Sequence, residues 1–357
     1  MALSKVDPNF LNVSQVGGRR NLIINGDMKV AQRGTSFTPS SSATVYTLDR
    51  QTFYHNMGSH TVEQSTDSPA GFTNSLKVTV TSAGTIGANT INQLGIGIEG
   101  YDTVGLGWDG KGSAKPATAS FWVKTSVAGT YAYRIRLVGV GTIIKEFTVN
   151  SANTWEYKTI SIPACPYTIP NFQNTLGFFV GWQLDCGTTY QSSANGAWET
   201  PDLYGTAGMT NNFGQTLNAT FQVTGHQFEV GDTATPFEHR SYGEELALCQ
   251  RYYWTSYDNV AAGTTGTNGT SLYWVKDGTN SYATFGTTTF PSQMRVAPTC
   301  AIYNPTTGAA GSATSDGSNF TAQVYFSRKH TMAGGHAGVS VGNATGINYH
   351  MTADAEL

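Results

Sequence analysis

The sequence has few charges, no surplus of positive charge and no long apolar run. Only 12% of its 357 residues are charged, about half the share that is usual for a soluble domain. A net charge of −3 argues against binding to nucleic acid, which needs a basic face to displace counterions. No stretch approaches the roughly 20 apolar residues of a membrane span. We therefore expect neither nucleic-acid binding nor membrane insertion.

Cysteines are also few, and they are scattered along the chain. Cys165, Cys186, Cys249 and Cys300 form no C-x-x-C pair, so metal-binding spacing and a dense disulfide scaffold are both excluded. We predict buried free thiols, and a pairing of Cys165 with Cys186 stays open. The first ten residues, "MALSKVDPNF", lack the basic start and apolar middle of a secretory signal. The chain is therefore expected to fold in a cytosol.

What the sequence does contain points to β-structure. It has 41 glycines and 12% aromatic residues, a composition typical of sheets joined by many tight turns. "SLKVTVTS" alternates strictly, with Leu76, Val78 and Val80 on one face. "ATASFWVKTS" and "GTYAYRIRLVGV" predict a hairpin across residues 127–129. Strands at close spacing without intervening helices predict an antiparallel β-sandwich or jelly roll.

One segment, "SYGEELALCQRYY", has a helical pattern. Ser241 is placed as the N-cap and Glu244 lies three residues on, which is the capping-box arrangement. Negative charge is favoured in the first turn of a helix and positive charge in the last. The residues to which we assign the linking helix and its interface are Glu244, Glu245, Leu246, Cys249, Arg251 and Tyr253.

These patterns divide the chain into four parts. After Trp254 the composition shifts to glycine, threonine and alanine, with thinly spread charges and several short strand candidates. We interpret the helix as a joint between two β domains. The predicted parts are an N-terminal attachment arm (1–20), a jelly-roll domain (21–240), a linking helix (241–254) and a smaller C-terminal β domain (255–357).

No catalytic motif stands out, and aromatic residues are the better indication of function. Paired carboxylates for glycoside hydrolysis stay open, because such partners need only meet in space. An aromatic ring on a loop can stack on the apolar face of a sugar while neighbouring polar groups bind its hydroxyls. The alternative is that each ring fixes its own loop to the core. The glycan-binding candidates are Trp108, Tyr190, Trp198, Tyr204 and Trp254.

Four short stretches resemble one family of proteins. "NLIINGDMKVAQRG" is similar to the opening strand of jelly-roll carbohydrate-binding modules and to the start of tailed-bacteriophage tail-fibre proteins. "FEVGDTATPFEHRSYGEELALCQRYY" resembles the segment that closes the jelly roll in those phage proteins. "FPSQMRVAPTC" and "YHMTADAEL" resemble their C-terminal domains. The order of the four stretches is typical of a virion fibre protein with a jelly roll like that of carbohydrate-binding modules.

The resemblance implies a structural virion appendage that binds host surface polysaccharide and is not an enzyme. It also implies a homotrimer, assembled in the host cytoplasm, whose N-terminal arm attaches to other tail or capsid proteins. Related modules often hold a structural calcium near their first and last strands, where Asp27 and Glu229 match. The acidic pattern is only half present, so we predict no cofactor and retain these two residues as candidate calcium ligands.

Three other functions stay open at this point. A glycan hydrolase or deacetylase can be built on the same sandwich, and a fibre or decoration protein can attach to the capsid instead of the tail. The third is a carbohydrate-binding module of a bacterial polysaccharide system. Such modules are exported, so the absence of a secretory signal in the first ten residues weakens this alternative. Glu238, His239 and Arg240 are left without a structural role, and we expect them to pair across a subunit interface.

Overall fold

The structure, a computed structural model, describes most of the chain. Residues 1–18 of the predicted attachment arm lie outside the described residues, so the prediction of an arm stays a prediction. The described ranges are 19–169, 172–200, 202–257, 260–275, 284–315, 317–335 and 346–357.

The N-terminal part is built from short and long strands with two 3-10 helices, Gly100–Leu106 and Thr188–Tyr190. The strands are β1 (Ser36–Phe37), β2 (Val45–Tyr46), β3 (Thr52–His55), β4 (Ser59–Ser65), β5 (Ser75–Ser82), β6 (Ile91–Glu99), β7 (Ala117–Thr125), β8 (Gly129–Leu137), β9 (Gly141–Val149), β10 (Glu156–Ile162), β11 (Leu176–Cys186), β12 (Gln191–Ser192), β13 (Trp198–Glu199), β14 (Gly205–Thr206) and β15 (Thr220–Val230).

These strands form the two layers of an antiparallel β-sandwich, as predicted. One sheet has the order β1-β4-β5-β15-β7-β10, and the facing sheet has the order β13-β9-β8-β11-β6-β3-β2. The predicted alternation holds in β5, where Leu76, Val78 and Val80 are buried. Because every second side chain of a strand points inward, the two sheets enclose one large apolar core between them.

Two predictions about the strands are wrong. β7 and β8 do not form a hairpin, since β7 pairs with β10 and β15 while β8 pairs with β9 and β11 in the other sheet. The predicted opening strand, 21–34, has no strand structure. Asn25 adopts a left-handed φ of 58°, and its side-chain amide bonds the carbonyls of Val30 and Asp49. This segment is therefore folded as a buried turn.

The linking helix, α1, runs from Tyr242 to Gln250 and begins as predicted. The Ser241 hydroxyl accepts from the backbone N–H of Glu244, and the Glu244 carboxylate accepts from the backbone N–H of Ser241. The helix ends before residue 254, where the prediction placed its end. Tyr253 and Trp254 instead form an edge strand that pairs with the last strand of the chain.

Replacing Ser241 by alanine is expected to lower the free energy of unfolding by about 1 kcal/mol, because it removes the N-cap acceptor. Urea denaturation followed by tryptophan fluorescence measures this loss. Ser241→Thr keeps the hydroxyl, which both accepts from the Glu244 backbone and donates to the Glu244 carboxylate, and is the matched control with an expected change of a few tenths of a kcal/mol. Equal losses in the two variants would contradict a capping role.

The C-terminal part forms a second group of strands around one long central strand. The strands are β16 (Tyr253–Thr255), β17 (Leu272–Val275), β18 (Thr284–Thr289), β19 (Thr299–Tyr303), β20 (Ser312–Ser315), β21 (Ser318–Thr321), β22 (Gln323–Ser327), β23 (Thr331–Gly335) and β24 (Gly346–Asp354), with a 3-10 helix at Asn268–Thr270. β24 pairs with β16, β17, β19 and β20, while β18, β23 and β22 form a separate sheet. A second apolar core fills this part.

A buried ionic network joins the two parts. Glu356 contacts both Arg50 and Arg33 of the sandwich, and the Arg33 guanidinium also lies 3.0 Å from Asp354. On the other side, Arg251 and Tyr252 both donate to the Glu99 carboxylate. These contacts place α1 and the end of β24 firmly against the sandwich.

The linking residues have several roles in this joint. Cys249 is buried beside Tyr252, and Leu246 packs against the same small cluster. Glu245 is buried and accepts from the backbone N–H of Asn25. Tyr253 lies under the Arg33 guanidinium, 3.6 Å from the ring centroid. The predicted joint is thus formed within one chain.

Two further sequence predictions concern thiols and membranes. All four cysteines are free, so Cys165 and Cys186 do not pair. Burial raises the pKa of Cys165 to about 11 and that of Cys186 to about 12. Within the described residues, no helix is both long and apolar enough to cross a membrane.

Candidate functional site

The outer face of the six-stranded sheet carries a row of aromatic and hydroxyl side chains. In β7, Phe121 and Val123 are buried in the core, so Trp122 and Ser120 point outward. Tyr157 of β10 lies directly opposite Trp122 in the strand register, and Thr159 lies opposite Ser120. The Trp122 and Tyr157 ring centroids are 5.4 Å apart. The two rings form an aromatic floor that is open to solvent.

A β-bulge in β15 shapes one side of this floor. Thr224 is opposite Trp122 and Gln227 is opposite Ser120, so β15 has one extra residue between these pairs. Gly225 lies in the bulge with a left-handed φ of +62°, a conformation that glycine adopts without strain. A Cβ atom at this position would lie 2.7 Å from Phe72 Cζ and 3.2 Å from Trp122 Cδ1. The missing side chain therefore lets the Phe72 ring lie against the floor.

Replacing Gly225 by alanine is expected to lower the free energy of unfolding by about 1–2 kcal/mol and to displace the Phe72 ring. Gly139→Ala is the matched control, because Gly139 has a φ of +71° with open space around it. Chemical denaturation gives the free energy of unfolding of both variants. The difference between their losses is the cost of the contact with Phe72, because both variants share the cost of the left-handed backbone. Equal losses would show that the contact with Phe72 contributes nothing.

Two loops form the walls of the cleft above this floor. One is the loop before β5, in which the Ser68 hydroxyl donates to the Phe72 carbonyl. The other is the segment after β15, from Ala234 to His239. The Phe72 ring centroid lies 5.1 Å from that of Phe237 and 5.3 Å from that of His239. The three rings therefore pack together where the loops meet.

Buried polar side chains of β15 hold the second wall in place. The Glu229 carboxylate accepts from both the backbone N–H and the hydroxyl of Thr235. The Gln227 side chain accepts from the Glu238 backbone N–H and donates to the Thr235 carbonyl. Gln227 and Glu229 are themselves buried. The wall is therefore preorganised rather than loosely attached.

Charged groups beside the cleft are paired with each other. The Lys124 ammonium donates to the Asp67 carboxylate at 2.6 Å, and the Trp155 indole donates to the same group at 3.2 Å. The hydrogen bond from Lys124 holds the pKa of Asp67 below its ordinary value. On the other side, Glu238 accepts from the backbone N–H of Asn21 and from Arg240. Neither carboxylate is directed at the floor.

Beneath the floor, the bulge turns His226 into the core. The His226 ring contacts Trp182 and bonds the Tyr133 hydroxyl at 2.8 Å. Burial lowers the pKa of His226 to about 3. This histidine is therefore neutral at physiological pH and belongs to the core, whereas His239 is exposed at the rim.

The resulting cleft has a volume of about 680 Å³, within the range of about 300–1,000 Å³ that is typical of small-molecule sites. The lining residues all belong to the part of the chain that the structure describes, and none of them is Asp, Glu, Lys or Arg. The lining residues are Ala70, Gly71, Phe72, Ser120, Trp122, Tyr157, Thr159, Gly225, Ala234, Thr235, Pro236, Phe237 and His239. The sandwich and this cleft define a β-sandwich protein with an aromatic-lined cleft that carries no Asp, Glu, Lys or Arg.

The predicted glycan-binding residues are not in this cleft. Trp108 is a wrong prediction, because its side chain is completely buried and its indole donates to the Lys115 carbonyl. Trp198 packs edge-on against Trp108, with ring centroids 5.4 Å apart, and donates to the Pro163 carbonyl. Both rings therefore fix their own loops to the core.

Tyr190 and Tyr204 also act as anchors for a loop. Their ring centroids are 5.4 Å apart, and both pack on a small cluster at the outer face of the seven-stranded sheet. The buried Arg134 guanidinium lies 3.8 Å from the Tyr204 ring centroid and pairs with Asp202. The opening near Arg134 measures about 160 Å³, which is below the usual range for ligand sites.

Trp254 is the fifth predicted residue, and it lies in the C-terminal part. It packs against the second core, with its ring centroid 5.6 Å from that of Phe290. The five candidates thus match the alternative interpretation, in which aromatic rings pin loops to a core. Sequence reasoning missed Trp122 and Tyr157, although a signal was present: Trp122 alternates with inward-facing Phe121 and Val123.

The two candidate calcium ligands, Asp27 and Glu229, bind different side chains of the protein. Asp27 pairs with Lys29 at 2.9 Å, while Glu229 bonds Thr235. In the described part of the chain, no group of three or more His, Cys, Asp or Glu side chains is placed to hold a metal ion.

Arg240 provides positive charge beside the first residues of the sandwich. Its guanidinium donates to the carbonyls of Asn21 and Ile23 and pairs with Glu238 and Glu245. Glu238 and Arg240 therefore already have partners within the chain, and their pairing across a subunit interface stays a prediction. The first residues of the sandwich supply these partners, because the Asn21 backbone N–H donates to Glu238 and the Asn21 and Ile23 carbonyls accept from Arg240.

Comparisons with known proteins give only distant likenesses. No protein-family model and no curated protein matches the chain. Among solved structures, the enzymatically active domain of bacteriophage CBA120 tailspike protein 4 has 9% identity and a TM-score of 0.32, covering 59% of this chain and 21% of that one.

Two carbohydrate-binding structures are also similar. The family 11 carbohydrate-binding module from Clostridium thermocellum, in complex with a mixed-linked tetrasaccharide, has 14% identity and a TM-score of 0.27, covering 58% of this chain and 99% of that one. The tandem CBM22-1–CBM22-2 domain from Paenibacillus barcinonensis Xyn10C has 7% identity and a TM-score of 0.28, covering 96% and 100%. At identities and TM-scores this low, the likeness carries no information about function.

Proposed function

We propose that this chain is a non-catalytic glycan-binding protein of a phage virion fibre. The observation that carries the proposal is the aromatic cleft, in which the Trp122 and Tyr157 rings lie side by side on the solvent-facing side of the sheet. Sugar rings have apolar faces that stack on such surfaces, and hydroxyl groups beside the rings fix their orientation. Ser120 and Thr159 supply hydroxyls on the same floor.

The chemistry of the lining supports binding without cleavage. Glycoside hydrolysis usually requires two carboxylic side chains that flank the scissile bond. The described lining of the cleft includes no Asp or Glu, and the acidic groups beside it are engaged: Glu229 accepts from Thr235, Asp67 pairs with Lys124 and Glu238 pairs with Arg240. The virion fibre assignment rests on the four sequence stretches given above, and it places the protein on a virion assembled in the host cytoplasm.

A homotrimer is part of the proposal. The C-terminal part exposes Tyr273 and Phe326, which are 59% and 47% exposed, and large exposed aromatics are typical of association surfaces. A trimeric fibre would cover such residues with other copies of the chain. Light scattering of the purified chain is expected to give three times the mass of one chain, and the mass of a single chain would contradict the trimer.

The binding function is tested on an array of bacterial capsule and lipopolysaccharide glycans, using the full chain. We expect retention on a subset of these polysaccharides and no new reducing ends after prolonged incubation. Release of oligosaccharides would show that the protein is an enzyme. Failure to bind any polysaccharide across the array would overturn the glycan-binding function.

A further inference from the structure

We propose that the aromatic cleft selects an uncharged 6-deoxyhexose, a sugar that carries a methyl group where other hexoses carry a hydroxymethyl group. This inference rests on the proposed glycan-binding function and narrows it to a class of sugar. Two properties of the lining carry it: the absence of charge and the scarcity of hydrogen-bonding groups.

The absence of charge decides against acidic and basic sugars. A carboxylate or ammonium group that enters an apolar site needs an ion-pair partner, because burying an unpaired charge is costly. The lining offers none, and its one ionisable group besides the Tyr157 phenol is His239 at the rim. The neighbouring Lys124 is already paired with Asp67. The ligand is therefore expected to be neutral.

The scarcity of hydrogen-bonding groups decides between neutral sugars. Ring faces and methyl groups supply most of the lining, through Phe72, Phe237, Pro236 and the two alanines. Hydrogen-bonding side chains are limited to Ser120, Thr159, Thr235, Tyr157, the Trp122 indole N–H and His239, and Thr235 already donates to Glu229. A sugar hydroxyl that is buried here without a partner loses its hydration and gains nothing in return.

A 6-deoxyhexose fits this balance better than its parent hexose. Its methyl group removes one hydroxyl that needs a partner and adds apolar area against the wall. An N-acetyl group also brings a methyl group, but its amide adds a donor and an acceptor that the cleft is poorly equipped to satisfy. The preferred contact for the methyl group is the wall formed by Phe72 and Phe237, whose rings are packed together.

Matched pairs of sugars test this selection. The full chain is titrated with methyl α-L-rhamnoside against methyl α-L-mannoside, and with methyl α-L-fucoside against methyl α-L-galactoside. The members of each pair differ only at carbon 6. Saturation-transfer NMR detects weak binding, and the difference in tryptophan fluorescence between the parent protein and Trp122→Ala reports on Trp122. We expect the 6-deoxy member of at least one pair to bind about tenfold more tightly, from one unpaired hydroxyl.

Two variants locate the effect. Trp122→Ala is expected to abolish binding of the preferred sugar, whereas Tyr101→Ala, which changes an exposed ring outside the cleft, is expected to leave it unchanged. Equal affinities within both pairs, or tighter binding of the fully hydroxylated members, would overturn the selection and leave the glycan-binding function intact. Absence of binding to all four sugars would also overturn it, and the polysaccharide array then decides the binding function independently.

Discussion

Replacing Glu356 by alanine is expected to lower the free energy of unfolding by about 3–5 kcal/mol, because it leaves a buried guanidinium without its counter-charge. The Arg50 and Glu356 side chains are only 2% and 4% exposed. Arg50 also donates to the Gly97 carbonyl and lies 3.6 Å from the Tyr252 ring centroid. Guanidinium denaturation of the full chain, followed by fluorescence and circular dichroism, measures the loss.

The ionic environment explains why this effect should be large. Burial acts to lower the pKa of Arg50, yet the Glu356 carboxylate keeps that pKa above its ordinary value. A guanidinium stays protonated at neutral pH even without a partner, so Glu356→Ala leaves Arg50 as an unpaired buried charge. Arg33 loses a partner in the same variant, although Asp354 remains beside it.

Two controls separate burial from charge. Glu63→Ala breaks a solvent-exposed pair with Lys77 and is expected to cost no more than about 1 kcal/mol. The double variant Arg50→Met with Glu356→Leu removes both charges and is expected to recover much of the loss. A cost below about 1 kcal/mol for Glu356→Ala would mean that the joint does not depend on this pair.

The sequence was sufficient for the fold class and for the start of the helix. Strict alternation in β5 and the capping residues Ser241 and Glu244 are local signals, and local signals are preserved when the chain folds. The partner of a strand is decided by distant residues. β7 and β8 are neighbours in the sequence, yet each pairs with strands from elsewhere, so the predicted hairpin does not form. Tertiary pairing also ends α1 at Gln250, because Tyr253 and Trp254 pair with β24 instead of continuing the helix.

The site was harder to predict than the fold. Trp108 and Trp198 stand in polar, glycine-rich stretches, a setting that favoured exposure, but both rings turn into the core. Trp122 stands in a strand, where its outward direction follows from the buried Phe121 and Val123. Its neighbours in space come from β10, from the loop at Phe72 and from the segment at Phe237, none of which is adjacent in sequence. A glycine inside a strand, such as Gly225, is a sequence signal for a bulge, but it does not indicate which side chains the bulge brings together.

Replacing Trp122 by alanine is expected to weaken binding to the polysaccharide retained on the array by about 30- to 100-fold, or about 2–3 kcal/mol. The indole is the largest ring on the floor of the cleft. Its removal eliminates a stacking surface that no other side chain can replace, since Tyr157 lies beside it rather than beneath it. Titration calorimetry with a defined oligosaccharide of that polymer gives the two dissociation constants.

Because Trp122 is only partly buried, its loss should affect binding far more than folding. Thermal unfolding of the variant is the first control, with an expected melting temperature within a few degrees of the parent protein. Tyr101→Ala is the second control, since Tyr101 is 57% exposed and lies outside the cleft. Tyr157→Phe keeps the ring and is expected to retain most of the affinity. Tyr157→Ala removes the ring and is expected to lose affinity. If Trp122→Ala binds as tightly as Tyr101→Ala does, the glycan site lies on another face of the protein.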